Sequence, residues 1–149
     1  MPQSRLIKIK TTGLPTEHVC ATWTSIPKEI IDNYGEVTLA VDIMTISKIP
    51  FMVNTSRNIH FGTAQLIRNN SKDMIMTSIS QVVWTYQARG FQVCNILADS
   101  AFKCIRDSLS EMGIALNVSS RNEHEPEIEQ YIRKVKERVR SIANSLPFR

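Results

Sequence analysis

The chain has 149 residues, 42% hydrophobic and 21% charged, which fits one globular domain with room for a real core. Its net charge of +4 permits a polyanionic partner, while Cys20, Cys94 and Cys104 lack CxxC spacing and read as reduced thiols of an intracellular protein. No apolar run nears the roughly 20 residues of a membrane span, no signal-peptide core is present, and His18, His60 and His124 form no zinc cluster.

Residues 1–35 carry Pro and Gly punctuation and read as an irregular leader or a remnant of an upstream polyprotein, with one short helix from Lys28 to Tyr34. The domain proper is expected over 36–149. Its first strand is Glu36 to Ile46, with Val37, Leu39, Val41, Ile43 and Thr45 on one side. Asp42 interrupts this apolar run, and a carboxylate there is costly to bury unless it meets a cation or a metal. Pro50 to Ser56 and Asn58 to Ile67 complete an antiparallel meander.

Ser71 caps a helix that runs to Gly90, with Ile75, Ile79, Val82, Val83 and Tyr86 at helical spacing and Trp84 packing beside them. Phe91 to Asp99 is a short buried strand of the parallel kind, ending on an acid. A helix from Ser100 to Gly113, a fifth strand from Ile114 to Ser119 and a polar loop follow. Cys94 and Cys104 read as core thiols, since no histidine is placed to activate them.

The last helix starts at Pro126, whose missing N–H suits a first turn. Ile128, Ile132, Val135, Val139 and Ile142 form one buried stripe. About 100° round the helix lies a second stripe, Glu129, Arg133, Lys136 and Arg140. Between Arg133 and Arg140 five cations face the single acid Glu137. Acid-first, base-later order also complements the helix dipole, and Glu129 with Arg133 is an ordinary i, i+4 pair.

The order βββαβαβα implies an α/β domain, a five-stranded mixed sheet flanked by helices. In a sheet ordered 3-2-1-4-5, Asp42 and Asp99 sit on neighbouring strands, and the last helix can bring Glu129 alongside. Asp99 is equally a good N-cap for the helix at Ser100, and Asp42 a strand-edge acid. Three clustered carboxylates call for a divalent metal, and the chemistry that uses such a site is two-metal phosphoryl transfer.

Asp42 in LAVDIM, Asp99 in ILADSAFK, the turn at Met112–Ile114 and PEIEQYIRKVKER with Glu129 together resemble the catalytic core of retroviral and retrotransposon integrases. The resemblance spans roughly Glu36 to Phe148, and the closing NSLPFR is similar to the segment after this helix in retrotransposon polyproteins. It implies an RNase H-like fold on which Asp42, Asp99 and Glu129 hold Mg²⁺ or Mn²⁺. Arg133 and Lys136 match basic positions that contact DNA ends, with Lys134 and Arg140 as extensions. The implied reaction is processing of element DNA ends and strand transfer into a target duplex. Homodimers or higher oligomers, and a nucleus or cytoplasmic nucleoprotein particle, are implied as well.

The chain departs from the family where Asp99-Ser100-Ala101-Phe102 replaces the D-N-G-x-E-F signature and where Gln130 follows the glutamate. Glu125 and Glu127 compete for the third acid, although helical geometry puts Glu127 off the Arg133/Lys136 face. An RNase H-type nuclease, or a decayed or domesticated core that binds nucleic acid or dimerises without cutting, are the alternative functions.

Overall fold

β1 (Glu36–Ile46) is the strand on which the fold is assembled, because it is hydrogen-bonded on both edges. The computed structural model describes residues 25–119 and 126–147. β1 pairs antiparallel with β2 (Ile49–Ser56), which pairs antiparallel with β3 (Gly62–Leu66). On its other edge β1 pairs parallel with β4 (Gln92–Ala98), and β4 with β5 (Ala115–Val118). The sheet order is β3-β2-β1-β4-β5, as expected from the sequence.

The helices are α1 (Lys28–Tyr34), α2 (Lys72–Gln87), α3 (Arg106–Glu111) and α4 (Pro126–Ser145). Two sequence expectations are altered in detail. The third strand is shorter than Asn58–Ile67, because residues 57–61 close a tight turn. There Ser56 Oγ accepts from the Phe61 N–H, and His60 takes a positive φ. The helix expected from Ser100 begins as a 3₁₀ segment, Ser100–Ile105, before α3 takes over.

Strand alternation divides the sheet into two faces. On one, Val37, Leu39, Val41, Met52 and Ile96 pack with Ile75, Ile79, Val82 and Val83 of α2 and with Phe102, Ile105 and Leu109. On the other, Ala40, Met44 and Val53 pack with Ile128, Tyr131, Ile132 and Val135 of α4. α1 joins the first cluster through Ile31, which lies against Gly90 at a φ of +86° that favours glycine.

Three packing expectations are corrected. Trp84 is 70% exposed, since nine residues at about 100° each carry it half a turn from Ile75 and the buried stripe. Cys104 is exposed and Cys94 half-buried, so Cys104 is no core thiol. In the α4 stripe Ile128 is buried and Ile132 and Val135 half-buried, while Val139 and Ile142 are 37% and 61% exposed. The helix runs from the Arg57 end of β2 toward the β1–β2 hairpin at Ser47–Lys48, and its second half passes beyond the sheet.

Urea unfolding should therefore separate two isoleucines of one stripe. Ile128→Ala is expected to cost about 2–4 kcal/mol through lost burial and a cavity. Ile142→Ala should stay within about 0.5 kcal/mol, as an exposed substitution does. Equal losses would place the second half of α4 on the body.

Thiol reactivity gives a second check. Burial, then the Glu36 charge, pushes the Cys94 thiol up, which starves it of the reactive thiolate. Iodoacetamide at pH 8, read by peptide mass spectrometry, should label Cys104 several-fold faster than Cys94, and equal rates would contradict the placement.

Candidate active site

The parallel register between β1 and β4 brings two of the three acids to one place. Its last recorded partners are Ala40 and Leu97, and two further residues along each extended strand set Asp42 beside Asp99. Alternation puts Asp42 on the face of Ala40 and Met44, the face that α4 covers. Ala98 points into the opposite cluster, so Asp99 turns to the α4 face as well.

Local hydrogen bonds hold both carboxylates. Asp42, half-buried, accepts from the Ile43 N–H at 2.7 Å through Oδ1. Asp99, exposed, accepts from the Ala101 N–H at 2.9 Å through Oδ1 and so caps the 3₁₀ segment. The capping role foreseen for Asp99 is therefore present, and it is compatible with a place at the site.

α4 settles which way its own acids face. Ile128 is buried against the sheet, and Tyr131, about 60° to one side of it, lies against Gly62 of β3. Glu127 falls on this same flank and meets Arg57, whose Nε is 3.2 Å from each carboxylate oxygen. Helical spacing places Glu129 on the opposite flank, toward β4, with Arg133, Lys136 and Arg140 following it. Lys134 falls on the Glu127 flank, apart from that ladder. Glu129, Arg133, Lys134 and Arg140 are exposed, and Lys136 is half-buried. Glu125, the other competing acid, and His124 lie outside the described residues.

Carboxylate oxygens on one face are the right donors for Mg²⁺ or Mn²⁺, and Asp42 with Asp99 suits two ligands of one ion. The set is not closed, however. Among the described residues no group of three His, Cys, Asp or Glu side chains stands together as a metal site. The register accounts for the nearness of Asp42 and Asp99, and helical spacing only for the flank on which Glu129 lies.

Arg57, Gly62 and Tyr131 were not singled out from the sequence. Arg57 and Glu127 are 70 positions apart, and no local pattern links them. Gly62 did carry a signal, a glycine inside a strand pattern, which marks a close approach.

No protein-family model and no curated protein sequence matches the chain. Solved structures do share its fold. The catalytic core domain of BIV integrase, in crystal form I, aligns with a TM-score of 0.62 at 16% sequence identity over 74% of each chain. The five-stranded mixed sheet with its flanking helices is thus of the RNase H-like integrase-core type. Among the described residues no helix is long and apolar enough to cross a membrane.

Proposed function

We propose that the chain is an integrase-type catalytic core, a polynucleotidyl transferase acting on DNA ends and a target duplex. The observation that carries this reading is the β1–β4 register, which sets Asp42 and Asp99 side by side on the face crossed by α4. The integrase-core fold, at low identity, supports the same reading.

Asp42, Asp99 and Glu129 are the residues that would hold Mg²⁺ or Mn²⁺, and the ion would neutralise charge developing on the reacting phosphate and lower the pKa of an attacking water. The chain's own part is to orient those carboxylates from two strands and a helix. Arg133, Lys136 and Arg140 hold the DNA backbone along the same flank of α4, by charge and without reading sequence. Arg133 and Arg140 are exposed and Lys136 half-buried, so the first two meet phosphate at little desolvation cost.

A second reading has its own observation. Arg133 and Arg140 stand exposed along one flank of α4 whether or not a metal sits at the acids, as in a core that binds nucleic acid without cutting it.

Thermal unfolding with Mn²⁺ separates the two. A metal bound only to the native state stabilises by about 2.7 kcal/mol at a hundredfold excess over Kd. That rise is expected in the parent chain and absent in Asp99→Asn, which keeps the helix cap because Asn caps as well as Asp. Cleavage of duplex DNA ends should fall with it, by on the order of 100-fold. DNA binding without any metal-dependent rise or cleavage would establish the binding module and sink the enzyme.

The cation ladder is tested by salt. Arg133→Ala, Lys136→Ala and Arg140→Ala should each weaken DNA binding uniformly across sequences and lower the log–log salt slope by about 1. Lys134→Ala, on the other flank, should change the slope less. An unchanged slope in the first three would remove that flank from the interface.

A further inference from the structure

We propose that Arg57 is a positioning residue for Glu129: by holding Glu127, it fixes the roll of α4 so that Glu129 faces Asp42 and Asp99. The inference rests on the reading of those three acids as the site. It deepens that reading by naming the device that aims the third one.

Two contacts on one flank add to the apolar seat of α4 on the sheet in setting the roll. The first is the ion pair, in which Arg57 Nε sits 3.2 Å from both oxygens of Glu127. The second is Tyr131, one turn further along the same flank. A Cβ added at Gly62 would lie 2.7 Å from its ring and 2.7 Å from the Asn54 carbonyl oxygen. Ring and backbone meet there only because residue 62 has no side chain. Arg57 is itself tied to the sheet, since its backbone N–H donates to the Thr38 carbonyl at 3.0 Å. The pair therefore joins the first turn of α4 to the end of β1 that leads to Asp42.

Magnitude decides what kind of effect this is. The two side chains are 46% and 35% exposed, and an ion pair so open to water adds little to stability. Its consequence is one of direction. Glu127 and Glu129 are two residues apart, about 200° round the helix. Ile128, Tyr131, Ile132 and Val135 already seat one face of α4 on the sheet, and the pair trims the remaining roll about that seat. With Glu127 held outward on the β3 side, only Glu129 is left for the β4 side.

The test reads the approach of position 129 to position 99 without needing activity. Asp99→Cys and Glu129→Cys are combined in a chain whose three native cysteines are replaced by serine, and a short bis-thiosulfonate reagent links them. Arg57→Gln is expected to slow this linkage several-fold with the melting temperature nearly unchanged. Glu127→Gln should do the same from the other side, and it stands in if Arg57→Gln does not fold. The exchanged pair, Arg57→Glu with Glu127→Arg, should recover at least half of the parent rate. On the chain with its acids intact, Arg57→Gln should raise the Mn²⁺ concentration for half-maximal DNA cleavage and leave DNA affinity unchanged.

Linkage rates that ignore Arg57 and Glu127 overturn the inference, even in a chain that cuts DNA. Linkage that follows the pair in a chain with no metal response supports the inference about aim, while the reading as an enzyme falls.

Discussion

Everything placed at the candidate site depends on β1 being paired on both edges while both its faces are covered. Val37, Leu39 and Val41 feed one hydrophobic cluster, Ala40 and Met44 the other. A strand so committed cannot slip, because a shift of one residue would exchange the two faces. Asp42 is the carboxylate in the interior of this strand, six residues past Glu36 at its start, and it inherits the strand's fixed place. Its neighbour across the parallel pairing is fixed for the same reason. β4 carries Ile96 and Ala98 into the first cluster, which leaves Asp99 to turn the other way.

The second constraint is how little of α4 the sheet holds. Its first three turns bring Ile128, Tyr131, Ile132 and Val135 onto β1 and β2, where Ile46 and Phe51 end the apolar surface. The hairpin then reverses through Ser47 and Lys48, both at positive φ as in a two-residue turn, and among the described residues no strand lies beyond it. A twenty-residue helix is about 30 Å long. Roughly half of it is fastened and half passes clear of the sheet. The aim of any side chain near its start is thus decided by few contacts, which makes an exposed ion pair matter more for direction than for stability.

The same facts explain what could be read from the residues alone. The strands, their order and the positions of Asp42 and Asp99 were legible because period-two alternation and turn residues are local signals. The cap at Asp99 was legible for the same reason. The end of the α4 stripe was not, because Val139 and Ile142 continue the helical period as regularly as Ile132 does. Whether a sheet lies beneath them is a tertiary fact. Trp84 misled by adjacency: it follows Val83 in sequence yet points half a turn from the centre of the buried stripe. Arg57 carried no hint at all, since its partner is set by how α4 crosses β2. The neighbouring strands of Asp42 and Asp99 followed from the expected strand order.

Charge gives the last link between fold and proposed chemistry. On the proposed reading, Asp42, Asp99 and Glu129 on one face would repel one another, and each would be easier to keep there with something positive near. Glu127, about 200° round the helix from Glu129, stays clear of that group on the far flank, where Arg57 pairs with it. On the near flank the cations begin with Arg133, one turn or about 5.4 Å beyond Glu129, and continue through Lys136 and Arg140. On that reading, a DNA backbone lying along this ladder would lead toward the acids, where a divalent ion would join the carboxylates to a phosphate. On the proposed reading, the helix that grips the backbone and the helix that completes the acid set are one element, so binding and chemistry share a single roll angle.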